Sequence, residues 1–228
     1  MQFNANEQYV NIRFFHATPM AQPVDVYIND TLIQPNLSYQ QSTDYFPVLR
    51  GVYDIHLVDS ATGDQLLTQR LTVNDNRYIT IIAISETNQI GLLSLPDKGI
   101  KRSQLKEQKK DLSQVQPVYH EPVIEERAEV VKDMIPVRFV HLSPNAPSLS
   151  VYLNGDPIYR DLIYKEATTY MDLVPQNYSL SIRSHQTLQE IARIEPLIIQ
   201  PGHAQTVYIT GLLGGTPRVE AIVLPDGV

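Results

Sequence analysis

Hydrophobic and polar side chains alternate along most of this chain with a period of two. In Val24–Ile28 the three aliphatic side chains share one face, and Leu149–Leu153 repeats that arrangement. Such alternation, in segments rich in β-branched and aromatic residues, is typical of half-buried β-strands. The pattern predicts strands near residues 10–16, 24–28, 43–49, 52–58, 65–73, 78–84 and 90–95, and near residues 136–142, 149–153, 168–174, 178–183, 188–199, 206–211 and 218–224.

Turn-forming residues separate these segments. Asn154-Gly155 suits a two-residue hairpin turn with positive φ, and Asn29-Asp30 is its weaker counterpart. Short strands at near-regular spacing, with such turns between them, indicate an all-β chain folded as β-sandwiches.

The two sets of strands carry the same sequence signature. Residues 12–19 read IRFFHATP and residues 137–144 read VRFVHLSP, so that His16 and His141 lie 125 residues apart. The spacing becomes 126 between Thr80 and Thr206 and 129 between Asp97 and Asp226. We therefore predict two tandem sandwich domains, residues 8–98 and 134–228, in which each copy serves as a control on the other.

The segment between the repeats, residues 99–133, is predicted to be a charged linker. Residues 98–110 hold six basic residues and one acid, whereas residues 111–133 hold six acids and two basic residues. Residues 101–114 could form a short exposed helix. The segment is either a solvated linker or a pair of oppositely charged halves that associate within one chain or between neighbours. Fully extended it could span on the order of 100 Å, enough to hold the domains apart or to let a strand cross to another subunit.

Composition narrows the class of protein. A hydrophobic content of 43% describes an ordinary globular protein, and a net charge of −7 disfavours general nucleic-acid binding. The absence of cysteine excludes disulfides and thiolate metal sites. We expect neither a secretory signal nor a membrane span, and hence a protein made in the cytoplasm.

Two charged residues recur in both copies. His16 and His141 are either metal ligands or general bases, or buried rings bonded to the loops that follow them, and the second interpretation is favoured because metal binding needs further ligands. Arg13 and Arg138 project from the opposite strand face. For them a conformational role, pairing with a carboxylate or capping loop carbonyls, is favoured over anion recognition.

Other repeated residues are assigned structural roles. Asp97 and Asp226 are interpreted as turn-forming residues after proline. Tyrosines at 45, 53, 170 and 178 are expected to pack into the sandwiches or to form corner bonds through their hydroxyls. Tyr27 and Tyr152 face away from the aliphatic stripe and are candidates for a protein interface. The chain shows none of the standard catalytic signatures.

At the Arg-Phe-x-His-x-[Ser/Thr]-Pro segments the chain resembles the bacterial family DUF4397. The segment 141–147 (HLSPNAP) matches one part of the family's pattern, and Val24-Asp25-Val26-Tyr27 and Gly51-Val52-Tyr53 match others. The resemblance implies immunoglobulin-like or transthyretin-like β-sandwiches, commonly on secreted or envelope proteins, and no established activity. Because Ser150 stands where the second copy should have the equivalent of Asp25, a ligand site that required this aspartate would be in doubt there.

The expected function is that of a non-enzymatic structural or adhesive protein in a surface assembly, with a spore coat or appendage as one setting. The alternative is a carbohydrate- or cell-wall-binding module that uses the loops 17–23 and 142–148, which contain Pro19 and Pro144. A hydrolase or metal enzyme is the least favoured class. We expect no cofactor or metal, and as partners further copies of the chain or other envelope proteins.

Overall fold

The computed structural model of the chain describes residues 9–74, 77–87, 89–99 and 134–227. The first repeat contains β1 (Tyr9–His16), β2 (Val24–Ile28), β3 (Thr31–Leu37), β4 (Phe46–Leu49), β5 (Gly51–Asp59), β6 (Gln65–Val73), β7 (Tyr78–Glu86) and β8 (Gln89–Pro96). The second repeat contains β9 (Ile135–His141), β10 (Leu149–Leu153), β11 (Asp156–Leu162), β12 (Met171–Leu173), β13 (Asn177–Ser184), β14 (Glu190–Ile198), β15 (Gln205–Thr210) and β16 (Glu220–Pro225).

Each repeat folds into two four-stranded sheets with the same topology. In the first repeat the strand orders are β4-β1-β7-β8 and β3-β2-β5-β6, and in the second they are β12-β9-β15-β16 and β11-β10-β13-β14. The pairs β1–β7 and β9–β15 are parallel, and the other pairs are antiparallel. The all-β tandem sandwich expected from the sequence is therefore confirmed.

A separate hydrophobic core fills each sandwich. In the first repeat Ile12, Phe14 and Val26 are almost inaccessible to solvent, and Val137, Phe139 and Val151 hold the equivalent places in the second. The alternation in β1 and β2 thus directs one face of each strand into the sandwich, as the sequence pattern predicts.

The opposite faces of two of the sheets pack against each other, and so join the repeats. A third core contains Phe15, Ile82, Val140 and Tyr208, and the rings of Phe15 and Tyr208 lie 4.7 Å apart. The molecule is a stack of four sheets. We call β4-β1-β7-β8 and β12-β9-β15-β16 the inner sheets, the other two the outer sheets, and the apolar layer between the inner sheets the inter-repeat core.

The structure contains two strands that the sequence pattern does not predict. Strands β3 and β11 are absent from the predicted set because each carries a proline, Pro35 or Pro157, which interrupts the alternation. Both lie at the edge of an outer sheet, where a missing N–H is tolerated. The hairpin turn at Asn154-Gly155 has the expected positive φ angles of 51° and 93°. The helix considered for residues 101–114 lies outside the described residues.

Candidate functional site

Arg13 and Arg138 each reach from their own repeat to the end of the other. Arg13 Nη2 lies 3.1 Å from Asp226 Oδ1, and Nη1 donates to the carbonyl of Pro225 at 2.6 Å. Arg138 Nη2 lies 2.5 Å from Asp97 Oδ1, and its Nη1 donates to the Pro96 carbonyl at 2.8 Å. The two arginines therefore both pair with a carboxylate and cap a carbonyl, and they do so across the inter-repeat boundary. We call these two exchanged ion pairs the Arg–Asp lock.

Hydroxyl groups complete the coordination of the two carboxylates. Asp226 Oδ2 accepts hydrogen bonds from Tyr170 at 2.6 Å and Thr206 at 2.7 Å. Asp97 Oδ2 accepts the same bonds from Tyr45 at 2.7 Å and Thr80 at 2.6 Å. Both carboxylate side chains are 0% exposed. Buried charge is tolerated only when it is paired and hydrogen-bonded, and here both conditions are met.

The electrostatics of the lock favour a structural role. Burial raises the pKa of Asp226, and the neighbouring carboxylate of Asp97 raises it further. Burial also raises the pKa values of Tyr45 and Tyr170, so both hydroxyls stay protonated and act as donors. The pKa values of Arg13 and Arg138 are also raised, so at neutral pH these cations and the two tyrosine hydroxyls are the donors that hold the inner sheets together.

Asp97 and Asp226 are the residues whose role the sequence-based interpretation missed. The proline that precedes each of them predicts a turn-forming role, whereas the structure makes them the partners of the repeated arginines. A signal was present in the duplication, because both copies keep one arginine and one aspartate at matching positions. The sequence did not indicate that the partners are exchanged between repeats.

His16 and His141 are buried, and each ring is bonded to the loop that follows its strand. The backbone N–H of Thr18 donates to Nδ1 of His16 at 3.2 Å, and Nε2 lies 3.3 Å from the carbonyl of Gln22. His141 makes the same contacts with Ser143 and Pro147. Because a backbone N–H only donates, Nδ1 accepts and Nε2 carries the proton.

Both ring nitrogens of each histidine are therefore used within the fold. Burial lowers the pKa of His141 to about 4 and also lowers the pKa of His16. A neutral ring with both nitrogens bonded fixes the path of the loop, and it leaves no lone pair for a metal. Among the described residues no group of three or more His, Asp or Glu side chains is arranged to hold a metal ion.

Asp25 is part of a local brace in the first repeat. Its Oδ1 accepts the hydroxyl of Ser60 at 2.5 Å and the backbone N–H of Asn36 at 2.8 Å. In the second repeat Ser150 replaces Asp25, and its hydroxyl lies 3.1 Å from Nδ1 of His185, which occupies the position of Ser60. The two substitutions compensate each other, so both repeats keep a polar bridge at this point.

Tyr27 and Tyr152 lie on the outer sheets in different surroundings. Tyr152 is 8% exposed, and the guanidinium of Arg183 lies over its ring at 4.4 Å from the centroid. Tyr27 is half-buried and lines a hollow of about 240 Å³ together with Asp30, His56 and Val58. We call this the Tyr27 hollow.

The loops that contain Pro19 and Pro144 lie at the ends of the inner strands. Pro19 is buried and Pro144 half-buried. In the second repeat the loop is tied to the segment 211–219, because the hydroxyl of Ser143 donates to the Gly211 carbonyl at 2.8 Å and Asn145 exchanges two hydrogen bonds with the backbone of Leu213.

An open cleft of about 520 Å³ lies beside this segment. It is lined by residues of β14 and of the loop between β15 and β16: Ile191, Ala192, Arg193, Leu212, Leu213, Gly214, Gly215, Thr216, Arg218 and Val219. The repeat spacing lengthens from 126 to 129 residues across this loop, so the second repeat has three residues here that the first repeat lacks. The cleft is therefore a feature of the second repeat.

Fold and site together define a tandem β-sandwich protein whose two repeats share one buried interface. The model of the family described as domain of unknown function (DUF4397) matches residues 10–107 and 136–228. The matched segments cover most of the chain, so the chain belongs to this family, as the resemblance of its motifs indicated. A search of the curated proteins finds no match.

Among solved structures, two similar chains differ widely from this one in sequence. One is the CBM26-family module CBMbc from Eubacterium rectale Amy13K, in complex with maltoheptaose, with 10% identity, coverage of 95% of this chain and 97% of that chain, and a TM-score of 0.28. The other is described as an adhesin from Bacteroides ovatus, with 11% identity, coverage of 95% and 92%, and a TM-score of 0.21. Likeness at these TM-scores carries no argument about function. Within the described residues no helix has the length and hydropathy needed to span a bilayer.

Proposed function

We propose that this chain is a non-enzymatic structural or adhesive protein that acts in a surface assembly. The observation that carries the proposal is the Arg–Asp lock, which joins two sandwiches into one four-layer body. A body of this kind keeps its shape when force or contact is applied at either end, because separating the repeats would break both ion pairs and expose the apolar inter-repeat core to water. Such rigidity suits a building block.

The repeated polar residues support a non-enzymatic role. Both nitrogens of His16 and His141 are bonded within the fold, and Arg13, Arg138 and their carboxylate partners stabilise the inter-repeat core. The residue types that most often carry acid–base chemistry are thus committed to structure in both copies.

Self-association is favoured by apolar side chains on edge strands. Leu32 on β3, Leu49 on β4 and Ile198 on β14 are 45%, 48% and 49% exposed. All three strands are edge strands of their sheets in the described part of the chain. An edge strand offers free backbone donors and acceptors for pairing with another chain, and an exposed apolar side chain on that edge adds contact area. The spore surface is the setting that we propose for such an assembly.

Light scattering and negative-stain microscopy over a range of protein concentrations test this proposal. We expect concentration-dependent oligomers or filaments. The variant Leu32→Lys should self-associate only at higher protein concentration. Val52→Lys is the matched control, because Val52 is 58% exposed but lies on the central strand β5. A monodisperse monomer at every concentration would contradict the assembly role. Immunogold labelling of sporulating cells tests the proposed location.

A second candidate function is binding of a carbohydrate or cell-wall polymer. The observation that favours it is the cleft beside residues 211–219, which combines Arg193 and Arg218 with backbone groups and aliphatic side chains and is fixed by the 142–148 loop. Such a surface suits an acidic glycan. Retention of the protein on wall fragments or acidic glycans, and its loss in Arg218→Ala, would support this candidate; equal retention of both proteins would count against the cleft.

A further inference from the structure

The duplication places two tyrosines at equivalent positions with different neighbours. Tyr27 pairs with His56 across β2 and β5, and Tyr152 pairs with Ser181 across β10 and β13. Two residues further along β13, Arg183 turns its guanidinium onto the ring of Tyr152 at 4.4 Å. A guanidinium over an aromatic face is a favourable electrostatic contact, because the ring face is electronegative.

The first repeat lacks the residue that makes this contact. Val58 occupies the position of Arg183, since Val58 pairs with Asp25 and Gln65 just as Arg183 pairs with Ser150 and Glu190. A valine side chain is too short to cross the ring of Tyr27. The space that the guanidinium fills in the second repeat corresponds to the Tyr27 hollow of about 240 Å³.

We infer that the Tyr27 hollow is a binding site for an arginine side chain of a partner protein. The second repeat supplies the template, because its own arginine already occupies the equivalent place on Tyr152. This inference rests on the proposed adhesive role and names the chemistry that the first repeat's outer sheet recognises.

The charges around the hollow favour a cation. Asp30 lines the hollow, and the uncharged Gly155 stands at its position in the second repeat. The carboxylate of Asp30 is therefore available to a cation in the hollow, just as the carboxylate of Glu190 interacts with Arg183 in the second repeat. His56 also lines the hollow, and its Nδ1 lies 2.8 Å from the hydroxyl of Thr68, which fixes the ring beside Tyr27. The net charge of −7 attracts basic partners over a longer range.

Nuclear magnetic resonance titration of the intact protein with a blocked arginine, N-acetyl-arginine amide, tests the inference. We expect saturable shifts at Tyr27 and His56, with a dissociation constant on the order of 10–100 mM for a single side chain. The same titration with methyl glucoside separates a sugar site from a cation site.

Matched variants are obtained by placing the residue of one repeat at the equivalent position of the other, at Val58 and Arg183. Val58→Arg should cover Tyr27 and abolish the shifts there, as should Tyr27→Leu. Arg183→Val should open a second site and produce new shifts at Tyr152. If Arg183→Val does not fold, Val58→Arg remains decisive, because it adds a contact that the second repeat already accommodates.

The inference is overturned if arginine amide produces no saturable shift at Tyr27, if the shift survives Val58→Arg, or if methyl glucoside binds there instead. These results would leave the assembly role intact, because the titration follows one site and does not depend on association. Conversely, arginine binding by a protein that stays monomeric would contradict the assembly role and preserve the site.

Discussion

The two repeated histidines play the same structural role in both copies. His16 and His141 end an inner strand, and each ring ties the next loop to that strand through two hydrogen bonds. This role could be predicted from the sequence, because each histidine shares its strand face with apolar core residues and precedes a proline loop. The partners of Arg13 and Arg138 could not, because Asp226 lies 213 residues from Arg13 and no local pattern links them.

The buried neutral state of His141 makes the stability depend on pH. Its pKa is about 4 in the folded protein, below the value near 6.5 of an unfolded chain. As the pH falls through 6.5 the unfolded chain takes up a proton that the folded ring refuses. The contribution is therefore complete above pH 6.5 and is lost on approach to pH 4, a decrease of about 3 kcal/mol at 1.36 kcal/mol per pKa unit.

Chemical unfolding between pH 7 and pH 4.5 measures this effect as a difference between the wild type and His141→Gln. The variant keeps an N–H that can reach the Pro147 carbonyl, and it has no titrating ring. The free energy of unfolding should fall less steeply with decreasing pH in the variant. The raised pKa of Asp226 acts in the opposite direction, but it is present in both proteins and cancels. Equal slopes would show that His141 is not the titrating group.

At the scale of secondary structure, the sequence predicts a strand best where one face of the strand is buried and the other is exposed to solvent. Strand β2 shows this alternation, with buried Val24, Val26 and Ile28 between half-buried residues. Strand β7 does not, because Ile79–Ile84 is buried on both faces. The segment is apolar except for Thr80, and a nearly continuous apolar run is typical of a strand that is covered on both faces.

The loop between β15 and β16 depends on one glycine. Gly211 has φ of 95°, and a Cβ placed there would lie 2.1 Å from the carbonyl oxygen of Arg218. The change Gly211→Ala must therefore displace backbone, and it should destabilise the protein by more than about 2 kcal/mol. Gly63→Ala is the matched control, because Gly63 also has positive φ, 78°, and a Cβ there meets nothing within 4 Å.

Denaturant unfolding of the two glycine variants separates steric from conformational cost. Gly63→Ala should lower the free energy of unfolding by only about 1 kcal/mol, which is the cost of placing alanine in a left-handed conformation. If both variants lose the same amount, the close approach of Gly211 to Arg218 does not constrain the loop. The nuclear magnetic resonance signals of the cleft residues Leu212, Leu213 and Arg218 should also shift in Gly211→Ala, because these residues lie in the same loop.

At the scale of the whole molecule, the four sheets form one body with three apolar layers. The two outer layers lie within the repeats, and the central layer lies between them. The sequence predicted the two sandwiches and left open whether they stand apart, because an apolar run shows that a strand is covered on both faces and does not show what covers it. The Arg–Asp lock decides the arrangement, since neither carboxylate has its cation within its own repeat.

The lock predicts that a change in one repeat is felt in the other. Arg13→Ala removes a side chain from β1 and leaves Asp226 at the end of β16 buried without its cation, which should cost about 3–5 kcal/mol. Unfolding should remain a single transition shifted to lower denaturant. Amide hydrogen exchange should become faster in β15 and β16 as well as in β1. Arg70→Ala, which breaks an exposed pair with Asp54, should change stability by less than about 1 kcal/mol. Faster exchange confined to the first repeat would mean that the two sandwiches open independently, and the four-layer body would then be no more rigid than two domains on a linker.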